Sequence, residues 1–338
     1  MKTDKYVGRK PALMKTNFWQ RYPVVKDDLV YVNELITNKI KTSDPELQSA
    51  LLQMLNNGGK YLRPALLLLF SKRDNVTFDK SRVIKLAASI EVLHTATLIH
   101  DDIIDDSPKR RGNISIQSAF GKDVAVYAGD LLFTVFFDLI SDALFASPYL
   151  FINAKMMRQI LNGEIGQRNA RFDSHQDLMT YLRNINGKTA AIFSLACQEG
   201  AYFGGASKKE VALAKRIGQN IGLSFQMLDD ILDYSDGKTL NKPVMEDLAT
   251  GVYSLPLLMA LRSHPEVLMP YLAKKEQLTY DDMQEVKQLV ISLGGISDAK
   301  ALAKKFIQKA LDLIDQLPSP TQRKFLEKLV KQLLKRAQ

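Results

Sequence analysis

The amino-acid sequence predicts an all-α protein, a large single-domain helical bundle of about a dozen helices around a central cavity. Apolar residues recur at helical spacing almost throughout, and no stretch alternates β-branched with polar residues as a strand would. Helix starts are written as capping boxes at Ser43-Asp-Pro-Glu46, Ser207-Lys-Lys-Glu210 and Ser319-Pro-Thr-Gln322, where a hydroxyl and a carboxylate or amide satisfy the first amides. Ser147-Pro148 is a further start, with proline early in the first turn. Gly58-Gly59, Gly204-Gly205 and Gly294-Gly295 fall where periodic segments end and read as C-caps and turns.

Two long segments stand apart. Ser81 to Asp106 is mostly apolar and ends abruptly in acid, and Val211 to Asp236 repeats that design. Both read as core helices that carry carboxylates on their last turns, as bundle helices do where they converge on a cavity.

The 338 residues show no Pro/Gly/Ser linker, so one domain over residues 26–338 is expected behind a basic segment, residues 1–25. At 46% apolar and 25% charged the chain can bury a core. The longest uninterrupted apolar run, Ala65 to Phe70, is too short for about 30 Å of hydrocarbon, and Met1 to Gln20 lacks the apolar centre of a signal peptide. A cytoplasmic protein is expected, in keeping with a lone Cys197 that reads as a small core residue.

A net charge of +9 admits nucleic acid, an anionic membrane surface or phosphorylated ligands as partners. Zinc-finger spacing and RNA-binding aromatic signatures are missing, so no nucleic acid is expected. The basic run Lys331 to Arg336 reads as a solvated helix end that could touch anionic lipid transiently.

The carboxylates carry the chemistry. Asp101 and Asp105 lie four apart on one helix face with Asp102 beside them, and Asp229, Asp230 and Asp233 reproduce the spacing. Aspartate is a poor helix residue, and negative charge near a C-terminus opposes the helix dipole. Two such groups about 5 Å apart repel by roughly 3 kcal/mol at an effective dielectric of 20. A bound cation is therefore expected. All-oxygen ligands without His or Cys suit a hard ion, and magnesium bridges carboxylates and substrate phosphates while keeping waters. An EF-hand is excluded, since neither stretch has the alternating loop ligands, the central Gly or the distal Glu.

Basic residues complement such a site. Arg110 and Arg111 follow the first cluster, and Lys60 and Arg63 stand three apart in Gly59-Lys60-Tyr61-Leu62-Arg63-Pro64, placed on a helix's first turn. Arg forks and Lys point charges are the usual grips on a diphosphate. The Gly-rich stretch is not a P-loop, because it lacks the spacing to a Lys-Ser/Thr pair.

Taken together, GGKYLRP, LIHDDIIDDSPKRRG, GDLLF, GEIGQ, GKTA, FQMLDDILDY and NKPVMEDLATGVYSLPLL resemble the ordered motifs of the long-chain trans-isoprenyl (polyprenyl) diphosphate synthases, over residues 58–258. The resemblance implies an isoprenoid synthase-like bundle whose partners are isopentenyl diphosphate and an allylic diphosphate. It implies that Asp101, Asp102, Asp105, Asp229, Asp230 and Asp233 hold Mg2+, three ions with substrate bound. It assigns Arg110, Lys188, Thr189, Gln226 and Lys242 to the allylic substrate, and Lys60, Arg63, His94 and Arg111 to isopentenyl diphosphate. One departure stands out: members commonly carry Lys before the Thr-Leu-Pro-Leu stretch, where this chain has Val252.

The implied reaction is electrophilic alkylation. Ionisation of the allylic diphosphate gives a carbocation that the double bond of isopentenyl diphosphate captures, after which a proton leaves. The tail is expected to grow along the apolar helix before Asp101, where Thr97 and Ala96 lie four and five residues back, about 6 to 7 Å deeper. In the resembled family bulky residues there stop growth early, so small ones imply a longer product, of about six to eight isoprene units. A homodimer is expected. The alternatives are the catalytic component of a heterodimer with a small subunit, and a shorter-chain synthase.

Overall fold

The computed structural model describes residues 18–56, 60–110, 112–234 and 245–334. Gly58, Gly59, Arg111 and Lys242, and the basic start up to residue 17, lie outside the described residues. The chain divides into two compact units, residues 1–69 with 79–145 and residues 70–78 with 146–338.

In the first unit, helices α1 (Pro23–Lys39), α2 (Pro45–Asn56), α3 (Leu62–Ser71, whose last residues belong to the second unit) and α4 (Lys80–Ile104) come first. A two-residue antiparallel hairpin follows, pairing Lys109 with Ile114 and Arg110 with Asn113, and then α5 (Ile116–Phe120) and α6 (Lys122–Ala143). Helix α4 is the core of this unit. Ala87, Ala88, Ile90, Val92 and Ala96 are fully buried along it, so it is apolar almost all round rather than on one stripe. Helices α4 and α6 are both long and apolar enough to cross a bilayer by length and composition, a property the short uninterrupted run at Ala65 to Phe70 did not disclose. Two thirds of the apolar window of α4 is buried inside the protein.

The second unit contains α7 (Tyr149–Asn169), α8 (Leu178–Ile185), a π-helical turn (Asn186–Ala190), α9 (Ala191–Phe203), α10 (Lys208–Leu232), α11 (Glu246–Ala249), α12 (Leu255–Ser263), α13 (Pro265–Leu272), α14 (Tyr280–Ser292), α15 (Gly295–Ile314) and α16 (Pro320–Leu334). Helix α10 is its axis, packed on α9 and α15, with Val211, Ala214, Ile217 and Ile221 buried along it. Fully burying an aliphatic side chain of this size contributes about 1.5–3 kcal/mol.

Local signals resolve as follows. Ser207 and Glu210 form the complete capping box at the start of α10. The Ser319 hydroxyl accepts from the Gln322 amide as expected, and the Gln322 side chain donates to the Phe70 carbonyl. At α2 the cap is Asp44 rather than Ser43, its carboxylate accepting from the amides of Glu46 and Leu47. Asp is as good an N-cap as Ser, and the helix begins only at Pro45. Cys197 is a buried, free thiol in α9, as read.

One buried group answers to no sequence signal. Glu199 of α9 is fully buried, and its Oε1 accepts from Asn153 Nδ2 of α7 at 2.6 Å. Its Oε2 and the Asn153 Oδ1 have no hydrogen-bond partner among the described residues. Burial pushes this carboxyl up from an ordinary 4.5 to about 8, against the pull of the Asn153 hydrogen bond. A proton on Oε2 would supply the donor that Asn153 Oδ1 lacks. The native state then keeps that proton between pH 4.5 and about 8, where the unfolded chain has lost it. The stabilisation is full below pH 4.5 and is lost as pH rises through about 8, by at most about 1.4 kcal/mol per pH unit in between. Urea midpoints at pH 5 and pH 8 should therefore fall further for the wild type than for Glu199→Gln. Equal falls would show that Glu199 holds no such proton.

Candidate active site

Asp101, Asp102 and Asp105 close α4: Asp105 is the C-cap, its amide donating to the Asp101 carbonyl at 2.9 Å. The three carboxyls do not share one environment. Asp102 is buried at 1% exposure, Asp101 is half-buried and Asp105 is exposed. The one-residue step from Asp101 turns Asp102 about 100° round the helix and into the protein. There the Arg110 guanidinium clasps it, Nε at 2.7 Å and Nη2 on the same oxygen. Burial raises the Asp102 carboxyl and the Arg110 hydrogen bond and charge oppose that rise. The hairpin brings Arg110 back over the end of α4, with Ser107 carbonyl accepting from Ser115 and Gln117. Arg110, expected to hold substrate, is thus engaged with an acid of the first cluster.

Of the residues expected to hold isopentenyl diphosphate, Lys60 is positioned from the N-terminal side. Lys60 precedes α3 rather than lying on its first turn, because Tyr61 has φ +50° and the helix starts at Leu62. Backbone of that kind persists only where its surroundings hold it. Asn33 of α1 donates to the Tyr61 hydroxyl at 2.8 Å, and Trp19 Nε1 donates to the Lys60 carbonyl at 2.6 Å. The Lys60 ammonium lies 5.5 Å from the Phe18 ring centroid. Trp19 and Asn33 were not singled out in the sequence, where residues up to 25 read only as a basic segment. His94 and Thr97 are half-buried on α4, the Thr97 hydroxyl donating to the His94 carbonyl, and Ala96 is fully buried.

In the second unit the acids close α10 in the same way. Asp233 is the C-cap, Asp229 is exposed, Asp233 half-buried and Asp230 buried at 5% exposure. Asp230 Oδ2 accepts from the Tyr181 hydroxyl at 2.7 Å and from the Leu255 amide at 3.1 Å, and Oδ1 accepts from Gln226 Nε2 at 2.9 Å. Gln226 Oε1 in turn accepts from the Thr189 hydroxyl at 2.7 Å. Burial raises the Asp230 carboxyl, and these three donors oppose the rise.

Lys188 and Thr189 lie in the π-helical turn, a form of helix that is rare and frequent at functional sites. Two glycines let it in. A Cβ on Gly163 of α7 would stand 2.4 Å from the Lys188 amide nitrogen, and one on Gly222 of α10 would stand 2.6 Å from the Ala190 Cα. The turn is wedged between α7 and α10, which accounts for the GEIGQ motif. Lys188 Nζ there meets Gln167 Oε1 at 3.0 Å and Glu164 Oε2 at 2.9 Å.

Asp247 of α11 joins this electrostatic group without having been singled out, although it stands inside the quoted NKPVMEDLATGVYSLPLL. Its carboxyl is raised well above the usual range, first by burial and then by the charges of Asp233 and Asp230, with Lys188 opposing. Val252, in place of the expected Lys, is half-buried and its amide donates to the Asp247 carbonyl at 2.7 Å.

Among the described residues no three acidic, His or Cys side chains close into a preformed metal cage. The donors are all oxygen, and magnesium takes one or two carboxylates while drawing its remaining ligands from water and phosphate. The residues present fit magnesium that binds together with a diphosphate.

Residues 44–290 match the polyprenyl synthetase family. Solanesyl-diphosphate synthase 2 of Oryza sativa subsp. japonica is 35% identical over 321 residues, 93% of this chain and 78% of that protein. Heptaprenyl diphosphate synthase component 2 of Geobacillus stearothermophilus is 33% identical over 317 residues, 93% and 98% of the two chains. The solved geranylgeranyl pyrophosphate synthase of Lactobacillus brevis ATCC 367 superimposes with a TM-score of 0.88 at 40% identity, covering 94% of this chain and 99% of its own. The two acid-capped core helices, the Gly-wedged Lys-Thr turn and this match over most of the chain's length agree: the chain belongs to the polyprenyl synthetase family, enzymes that transfer prenyl groups.

Proposed function

We propose that the chain condenses isopentenyl diphosphate with an allylic diphosphate to give a trans-polyprenyl diphosphate of about six to eight isoprene units, with magnesium as cofactor. The observation that carries the reading is the repeated end of α4 and α10: an outer pair of carboxylates spaced four residues apart, Asp101 with Asp105 and Asp229 with Asp233, set on the more open side of a buried, bonded acid. Those pairs would hold the ions, up to three with substrate present. Magnesium, when bound, supplies charge that makes diphosphate a good leaving group.

The protein's own groups supply the rest. Lys188 is a cation held on the π-helical turn by Glu164 and Gln167 and suits the oxygens of the allylic diphosphate, and Thr189, Gln226 and Lys242 are assigned to the same grip. Arg110 keeps further N–H donors beyond those on Asp102, because a guanidinium has five. Lys60, Arg63, His94 and Arg111 are assigned to isopentenyl diphosphate. Loss of the allylic diphosphate leaves a delocalised cation, the isopentenyl double bond forms the new C–C bond, and a proton passes to the departing diphosphate. No nucleophilic side chain is needed. Cys197 is excluded from such a role, since burial pushes its thiol far up.

The relatives named for heptaprenyl and solanesyl products support the longer chain, as does the small Ala96 in the line of α4. The likeness to a geranylgeranyl pyrophosphate synthase favours a second reading, a product of twenty carbons. The chain is read as a homodimer; the Geobacillus relative, named as a component of its synthase, supports an alternative in which a partner chain completes the enzyme. A cytoplasmic enzyme that releases its product at an anionic membrane surface completes the proposal.

Incubation of the purified chain with labelled isopentenyl diphosphate, Mg2+ and primers of ten, fifteen and twenty carbons, with product sizing, tests all three. Activity in the lone chain and products beyond twenty carbons are expected; activity only after a partner is added would establish the heterodimer. Asp101→Ala and Asp229→Ala should each lower turnover at least about a hundredfold with helical content unchanged, and near-normal rates would remove them from the site. Ala96→Phe, in a chain shown by circular dichroism to fold, should shorten the product. An unchanged product distribution would mean that the tail runs elsewhere.

A further inference from the structure

The motif GDLLF, residues 129–133 in the first half of α6, lies outside the residues assigned to substrate or metal, yet three of its residues meet one side chain of α4. That side chain is His100, the residue before Asp101. A Cβ on Gly129 would stand 2.4 Å from His100 Nε2, 2.7 Å from its Cε1 and 2.8 Å from its Cδ2. The imidazole is thus seated where any other residue would begin its own side chain. His100 Nε2 lies 3.4 Å from Asp130 Oδ1, and the ring stands 5.4 Å from that of Phe133, one turn beyond Gly129. Gly129, Asp130 and Phe133 form a socket for one imidazole.

His100 flanks the acids of α4. The last carbonyls of a helix lack intrahelical partners, and Asp101 and Asp105 repel across one face, so this turn is the part of α4 most prone to fray. At about 100° per residue, His100 projects to one side of Asp101 and Asp102 to the other. Arg110 clasps Asp102 on that second side. His100 in its socket grips the first. Rotation of the last turn about the helix axis is stopped from both flanks, and the Asp101 and Asp105 face between them is fixed relative to α6.

We propose that His100 is a positioning residue for Asp101 and Asp105, and that Gly129, Asp130 and Phe133 are the socket that holds it. This rests on the proposed function for the meaning of that carboxylate face, and goes beyond it by giving the GDLLF motif a task.

A double-mutant cycle in the full chain tests it, with Gly129→Ala, His100→Ala and the two combined, each checked by circular dichroism and thermal midpoint. The readout is Mn2+ binding in the presence of inorganic diphosphate, followed by electron paramagnetic resonance well below the midpoint, where a merely structural contact would leave the affinity of the folded chain unchanged. Gly129→Ala and His100→Ala should each weaken Mn2+ binding about fivefold, somewhat less than the roughly tenfold or more that a lost outer-shell hydrogen bond costs a metal site. The combined variant should bind within about twofold of His100→Ala, because the added methyl group finds the ring gone. Effects that multiply in the combined variant would show that Gly129 and His100 act apart, and would overturn the socket. Wild-type Mn2+ affinity in a folded His100→Ala would overturn the positioning role, and this variant decides the role even where Gly129→Ala does not fold. Asp101→Asn, run alongside, should weaken Mn2+ binding more than about tenfold; wild-type affinity there would overturn the proposed function, and the positioning role with it.

Discussion

Negative charge placed at the C-terminal end of an apolar helix is opposed twice, by the helix dipole and by the loss of water, and this protein does so on both of its core helices. Each surrounding feature answers that cost. Arg110 returns on a short hairpin to neutralise Asp102, and Tyr181, Gln226 and the start of α12 supply donors to Asp230. What remains on each helix is an outer pair of carboxylates, Asp101 with Asp105 and Asp229 with Asp233, on the more open side of the buried acid.

The positive side of the chemistry depends on backbone approach rather than on charge alone. Lys188 reaches Glu164 and Gln167 because the π-helical turn can lie against α7 at Gly163, and Thr189 reaches Gln226 because the same turn lies against α10 at Gly222. A methyl group at either glycine would stand inside van der Waals distance of backbone, which has no rotamer with which to yield. Precise placement of one lysine and one threonine is thus distributed over three helices. In the first unit the equivalent support comes from aromatic and amide side chains near the N-terminal side, Trp19 and Asn33, which hold the strained backbone between Lys60 and Leu62.

Much of this was legible in the sequence. Helical class, the two long core helices, the acid spacing, the Ser207 box and the buried Cys197 all follow from residue type and separation along the chain, and the structure agrees with each. Errors were local and had local causes. Asp44 outcompeted Ser43 because both can cap and the first turn decides which is in reach. The helix starts at Leu62 because Tyr61 takes a positive φ, and its hydroxyl meets Asn33, a residue distant in sequence. Asp247 and Tyr181 escaped notice because a single acid or phenol carries no periodic signal.

By itself the sequence determined that there would be two acid-ended helices and that their charges would need partners, since helical period and charge repulsion act between near neighbours in the chain. Tertiary structure alone decided which acid of each trio turned inward, which donors met it, and that Glu199 would be buried against Asn153. The physical reason is that hydrogen-bond partners such as Tyr181 and Asp230 or Asn153 and Glu199 stand forty-six or more residues apart, and only packing brings them within reach of each other.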